Sequence, residues 1–338
     1  MTTPEEVPTM DRPTTVEPGG GAKDVPMERV LYEVKKVIVG QDHLLERLAV
    51  ALLARGHILV EDVPGVGKTL LTRAFSKALG LDFARVQGTP DLLPSDVLGA
   101  SILQDGQFRF IPGPVFANIL LVDEINRTTP RTQSAMLESM EEGHVTIEGE
   151  TRSLPDPFLV LATQNPIELE GTFALPEAQL DRFLVRLRLG YPERDDEARI
   201  ARRYTASAEP LDAVTAIGSA DRILGLRDHV RTIVISPAVE AYIVDLVRAT
   251  RLRSDVRLGG SPRASVALYR ATQASAFLAG RDFALPDDVK ALAPAVLAHR
   301  VLLDFDTQLG GATTDAVIED LLATVPVPPV ATTSEQQG

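Results

Sequence analysis

The chain has 338 residues, 44% of them hydrophobic and 24% charged, with a formal net charge of −13 and no cysteine. That length allows a sizeable core and two domains, while the missing thiols exclude disulfides and thiolate chemistry and suit a reducing cytosol. The acidic balance argues against nonspecific binding to nucleic-acid backbones, which needs a basic surface.

Residues 1–24 are rich in Pro, Thr, Glu and Gly and lack periodicity, the composition of a disordered tail. The start, Met1-Thr2-Thr3-Pro4-Glu5-Glu6, has neither a basic region nor an apolar segment, so no signal peptide is expected. No apolar run approaches the roughly 20 residues of a membrane helix, and a cytoplasmic location is expected.

From 25 to 192, helical patterns alternate with short apolar runs at 57–60, 83–87, 117–122 and 157–162. Strands separated by helices predict an α/β domain with a parallel sheet between two helical layers. The first run, His57-Ile58-Leu59-Val60, leads into Asp62-Val63-Pro64-Gly65-Val66-Gly67-Lys68-Thr69 and then a helical pattern from Leu70 to Leu79. Strand, glycine-rich loop and helix is the context of a phosphate-binding P-loop. Its backbone N–H groups and the helix dipole attract an anion, Lys68 reaches the β/γ-phosphates, and the Thr69 hydroxyl holds Mg²⁺. Asp62 stands where the pattern has its first glycine.

A hairpin is predicted over Ala100–Ile111 around Asp105-Gly106, and a second over Val145–Leu154 around Glu148-Gly149. Neither belongs to a minimal P-loop sheet, and insertions of this kind usually carry function. Between them, Ile119-Leu120-Leu121-Val122 ends in Asp123-Glu124, a buried strand whose carboxyl end opens into the site. Asp123 is placed to hold Mg²⁺ through water opposite Thr69, and Glu124 to polarise a water for attack on the γ-phosphate. Phe158 to Ala162 forms the next strand and ends in Thr163-Gln164-Asn165, where the Asn165 amide can reach the γ-phosphate or the attacking water.

Leu180-Asp181-Arg182-Phe183 follows Leu175-Pro176-Glu177. Arg182 is a candidate arginine finger acting in a neighbour's site; an intrachain salt bridge to Asp181 or Glu177 is the alternative. From 193 to 324 helical segments dominate, at 194–206, 219–229, 237–252, 262–280 and 287–299, which predicts a smaller helical domain. Ser236-Pro237 and Ser261-Pro262 place a capping hydroxyl before proline at the first helical position. Arg263 then falls in a first turn, where the dipole disfavours a cation, so a contact with the terminal phosphate is one reading and a solvated surface arginine the other. The histidines at 43, 57, 144, 229 and 299 lack metal-ligand spacing and read as structural. Glu141-Glu142 reads as a solvated helix end, and 325–338 as a second disordered tail. No Asn-Lys-x-Asp motif for reading guanine occurs.

Taken together, these strings resemble the AAA+ ATPases and, within them, the MoxR family of the helix-2-insert clade. The resemblance covers most of 28–305. It also rests on Ile38-Val39-Gly40-Gln41, on Gln87-Gly88-Thr89-Pro90-Asp91-Leu92-Leu93-Pro94-Ser95-Asp96, on Asp123-Glu124-Ile125-Asn126-Arg127 and on Leu175 to Phe183. It implies that Val39 and Gly40 lie beside the adenine, and that Val63, Pro64, Gly65, Val66, Gly67, Lys68, Thr69 and Leu70 cradle ATP. Asp123 and Glu124 would be the Walker B pair, Asn165 sensor 1, Arg182 the arginine finger and Arg263 sensor 2, with Arg127 a second candidate for contact in trans. Such proteins form rings, usually hexamers, and remodel client proteins, often beside von Willebrand factor A-domain partners. The 100–111 hairpin resembles the clade's insert, which faces the central channel. Gly88 stands where a bulkier residue is expected. A nucleotide-gated binding module with slow turnover is the alternative, and a DNA-associated motor a more distant one.

Overall fold

Described by the computed structural model are residues 27–61, 65–165, 171–204 and 209–329. Helices α1 (Met27–Lys35) and α2 (Asp42–Leu53) precede β1 (Ile58–Glu61), and α3 (Lys68–Leu79) leads to β2 (Phe83–Gln87). After α4 (Pro94–Leu98) come the hairpin β3 (Gly99–Gln104)/β4 (Gln107–Pro112), β5 (Ile119–Asp123) and α5 (Pro130–Glu142). The hairpin β6 (His144–Ile147)/β7 (Glu150–Ser153), β8 (Leu159–Gln164), α6 (Glu177–Leu180) and β9 (Val185–Leu187) complete this half. The five-stranded parallel sheet has the order β2-β5-β8-β1-β9.

Period-two alternation decides what each face buries. Ile58, Val60, Ile119, Leu121, Leu159 and Leu161 join one apolar cluster, while Leu59, Leu120, Val122, Val160 and Ala162 join another on the opposite face. A sheet covered on both sides needs continuous apolar runs, which is what the sequence shows at β1, β5 and β8. Strands β5 and β8 start two residues later than the runs predict, because Asn118 occupies the entry. Its Oδ1 accepts the Asp82 N–H at 3.2 Å and its Nδ2 donates to the Pro157 carbonyl at 2.8 Å. The three-residue β9, with Arg186 at its centre, is a strand the apolar runs do not reveal. Both hairpins form at the predicted turns, with positive φ at Asp105, Gly106, Glu148 and Gly149, as two-residue turns of the primed type demand.

The second half contains α7 (Arg194–Tyr204), α8 (Ala220–Val230), α9 (Pro237–Leu252), β10 (Val256–Leu258), α10 (Pro262–Leu278) and α11 (Pro286–Leu297), then β11 (Leu302–Leu303), α12 (Phe305–Leu309) and α13 (Thr314–Thr324). Ser236 and Ser261 accept the Val239 and Arg263 N–H groups at 3.3 and 3.1 Å, so both predicted caps are formed. The expectation of helices alone is corrected by β10 and β11, which pair as a small antiparallel ribbon. These helices close over α2 and β9: Leu268, Val289 and Leu292 share one apolar cluster with Leu48, Phe75 and Val185. Among the described residues no helix is long and apolar enough to cross a membrane.

His57, at the foot of β1, is buried. Its Nδ1 accepts the Val160 N–H at 3.0 Å, so the proton sits on Nε2, which donates to the Met140 carbonyl at 2.9 Å. Burial, with a smaller push from the nearby Arg227 charge, lowers its pKa to about 4. Burial and the Arg300 charge also push His299 down. Unfolding frees both imidazoles to take up protons below pH ~6.5, so stability is complete above that value and is lost as pH falls towards 4. Each histidine contributes a slope of up to about 1.4 kcal/mol per pH unit, or about 3 kcal/mol for His57 over the interval. Urea unfolding at pH 7.5 and 4.5 checks this: the loss on acidification should be smaller in His57→Gln, and an equal loss would contradict it.

Candidate active site

Asp62, Val63 and Pro64 lie outside the described residues. From Gly65 the loop is defined: Gly65 and Gly67 adopt φ of 88° and 87°, where L side chains are strained. Gly67 is the N-cap of α3, and no side chain caps that end. The first-turn N–H groups and the dipole's positive end therefore open into a cleft of about 480 Å³. Gly65, Gly67, Lys68, Thr69, Leu70, Asp123, Glu124 and Asn165 line it. The carboxyl ends of β1, β5 and β8 thus converge on one point, as open parallel sheets allow.

A second cleft of about 310 Å³ adjoins the first, sharing Gly65, Gly67 and Leu70, with Val39, Val66, Tyr191 and Ile200 among its walls. Its walls are mainly apolar, and Val39 is buried. Gly40, with φ of 75°, turns the chain here: the Asp196 carboxylate lies 2.0 Å from where a Cβ would sit. An anion cradle beside an apolar slot suits a molecule carrying phosphates at one end and a flat ring at the other.

The two acids are held tightly. Arg85 Nε donates to Asp123 Oδ2 at 2.7 Å, and Thr163 Oγ1 donates to Asp123 Oδ1 at 3.3 Å. Gln87 Nε2 and Arg127 Nη1 both donate to Glu124 Oε2, at 3.0 and 3.3 Å. Glu124 itself has φ 57° and ψ 51°, a left-handed conformation costing a non-glycine residue about 1–3 kcal/mol. Its N–H donates to Thr163 Oγ1 at 2.9 Å, which fixes the turn. Gly88 belongs to the same frame. Its N–H donates to the Asp123 carbonyl at 2.6 Å, and a Cβ there would stand 2.2 Å from the Glu124 carbonyl oxygen. The bulkier residue expected at 88 has no room.

Arg182 and Arg263 are not brought to this cleft. Arg182 donates through Nη1 to the Leu137 carbonyl at 2.6 Å and pairs through Nε with Glu141 at 3.2 Å. Arg263 pairs through Nη2 with the other oxygen of Glu141. Both line a separate cleft of about 210 Å³ with Gly56, His57, Asp181 and Arg300. Gly56 and His57 precede β1, and the Leu184 N–H donates to the His57 carbonyl at 2.8 Å. This second site therefore lies at the amino end of β1, and the P-loop at its carboxyl end. Four residues of strand, about 13 Å, separate them. In this placement Arg263 meets Glu141 and not the P-loop cleft; Glu141 stands exposed in the last turn of α5, as its sequence suggests, and has both arginines as partners there. Arg182 does have an intrachain partner, Glu141 and not Asp181 or Glu177.

The model of the ATPase family associated with various cellular activities (AAA) matches residues 57–185, and that of the AAA lid domain matches 248–321. The chain is 46% identical to the uncharacterized protein YeaC of Bacillus subtilis, covering 89% of this chain and 94% of that one. It is 42% identical to Chaperone MoxR1 of Mycobacterium tuberculosis, covering 96% and 89% respectively. A crystal structure from Cytophaga hutchinsonii, provisionally described as an ATPase, superimposes with a TM-score of 0.85 at 41% identity, covering 90% of this chain and 95% of that one. The chain belongs to the MoxR family of AAA ATPases. It is an ATPase with an α/β domain and a helical lid.

The AAA family implies a bound nucleotide, and the donors lining this cleft also suit a hard cation. Thr69 and Asp123 offer oxygen ligands beside the phosphate cradle. Among the described residues no group of three or more His, Cys, Asp and Glu could hold a metal alone. A hydroxyl and a carboxylate beside one cleft fit Mg²⁺, which keeps waters and takes its remaining ligands from one or two side chains and substrate phosphates. Arg85, Gln87 and Thr163 escaped the sequence reading. Strand parity could have found two of them: Arg85 and Gln87 alternate on one face of β2, and the register sets Gln87 against Asp123.

Proposed function

We propose that this MoxR-family ATPase hydrolyses Mg²⁺-ATP at a site shared between neighbouring copies in a ring, and uses the cycle to remodel a partner protein. In this reading Val39 and Gly40 flank the adenine, Gly65 to Leu70 hold the phosphates, and Thr69 and Asp123 hold Mg²⁺. Glu124 polarises the attacking water and Asn165 senses the γ-phosphate. Arg182 and Arg263 reach the next copy's triphosphate.

The observation that carries it is the split site. The cleft at Gly65 to Thr69 and the arginine pair lie at opposite ends of β1, an arrangement that suits a head-to-tail ring in which one copy's arginines meet the next copy's cradle. Remodelling is supported by the name of the Mycobacterium tuberculosis relative and by the β3–β4 hairpin. That hairpin exposes Leu103 and Phe108 at 65% and 79%, apolar surface suited to gripping an unfolded chain. A von Willebrand factor A-domain protein is the partner the family resemblance suggests.

The test is affinity capture with Glu124→Gln and Mg²⁺-ATP, read by sedimentation and mass spectrometry. A ring retaining a protein that Lys68→Ala does not retain is the expected result. A monomer under both conditions would reject the ring, and identical captures would reject nucleotide-controlled remodelling.

A further inference from the structure

Arg182 comes from the turn before β9 and Arg263 from the first turn of α10, 81 positions apart in the chain, yet both end on Glu141. What holds their backbones together is buried behind them. Arg300, in the 3₁₀ turn Ala298–Arg300 after α11, has a side chain only 2% exposed. Its Nε donates to Asp181 Oδ1 at 2.7 Å, Nη2 to the Asp181 carbonyl at 3.1 Å and Nη1 to the Leu184 carbonyl at 3.1 Å. It also donates to the carbonyls of Phe183 and Val296. The backbone on both sides of Arg182 is therefore gripped by one guanidinium from the lid.

The second oxygen of Asp181 accepts the Ser261 hydroxyl at 2.8 Å, and Ser261 is the cap that accepts the Arg263 N–H. One carboxylate thus ties the residue next to Arg182 to the residue that starts the Arg263 helix. Burial pushes the Arg300 pKa down to about 10, against the opposing pull of Asp181, so the guanidinium stays charged at neutral pH. Buried ion pairs cost desolvation, and apolar residues of similar volume often stabilise as well. What the pair supplies beyond stability is a fixed geometry.

We propose that Asp181 and Arg300 are positioning residues that lock lid to core at this point, so that Arg182 and Arg263 are presented as one rigid pair to the neighbouring copy's triphosphate. The inference rests on the shared-site reading above. It makes lid tilt and arginine placement a single movement.

The test is a double-mutant cycle in ATP turnover, with Kd for a fluorescent ATP analogue and a thermal melt measured on each variant. Arg300→Lys keeps the charge but cannot make the fan of bonds. It should lower kcat about 10²-fold, the scale of a 1 Å misplacement, with Kd within about twofold, since the P-loop cleft is remote. In an Arg182→Ala, Arg263→Ala background, where neither arginine is left to position, it should cost no more than about another twofold. An equal loss in both backgrounds, or none in either, overturns the positioning role. If Arg300→Lys fails to melt cooperatively, Ser261→Ala replaces it in the same cycle with the same criterion. Full turnover in Arg182→Ala alone would overturn the shared-site reading and this inference with it; slow turnover with multiplicative effects would overturn only the inference.

Discussion

Glu124→Gln should bind ATP as the parent does and turn it over at least about 10²-fold more slowly, the usual contribution of a positioned general base. The geometry makes this substitution clean. Glu124 is held by Gln87 and Arg127 through one carboxylate oxygen, and its backbone is fixed by Thr163 and by the close approach of Gly88. The amide keeps the shape and one acceptor oxygen and loses the basicity and the negative charge that faces Arg127. Single-turnover hydrolysis beside a nucleotide titration separates the two effects. An unchanged rate removes the proposed role, and lost binding would mean that the acid supports the cradle instead.

Arg182→Ala should reduce turnover by about 10³–10⁵-fold, the range for an arginine acting in trans on a transferring phosphoryl group. Its cleft lies at the far end of β1 from the P-loop, so ATP affinity should hold. Complementation is the sharper measurement. Arg182→Ala retains its acid and Glu124→Gln retains its arginine, so a mixed ring contains some complete sites. Equimolar mixing should restore a fraction of turnover that neither variant shows alone. No recovery on mixing, in rings shown to exchange subunits, would count against the shared site. The loss of Arg182 also strips Glu141 of one partner while Arg263 remains to hold it, so a large drop in stability is not expected.

Much of this molecule was legible before any coordinates. Apolar runs ending in Gly-rich, acidic or amide tips located four of the five sheet strands, because a strand buried on both faces has to be continuously apolar and its carboxyl end has to carry the polar chemistry. Both hairpin turns and the Ser236 and Ser261 caps were equally plain, since each is a local demand on φ or on an N–H group. Strand β9 was not, because three residues with a central arginine carry too little pattern. Arg186 belongs there only because Glu61 and Asp315 meet it from β1 and α13.

Chemistry confined to one loop or one strand end could be read from the chain: that Gly65 to Thr69, Asp123 and Glu124 gather in one cleft. Where the side chains of Arg182 and Arg263 lie could not. The sequence leaves Arg182 as a finger for a neighbour's site or an intrachain ion pair, and Arg263 as a phosphate contact or a surface arginine, and local preference says nothing about which end of a sheet a guanidinium reaches. Packing of the lid on α2 and β9 decided that, by carrying Arg263 to the amino end of β1 and setting it beside Arg182. The same packing buried Arg300 against Asp181. An ion pair between residues 119 positions apart exists only once the two segments are folded together, so it leaves no periodicity or motif to find.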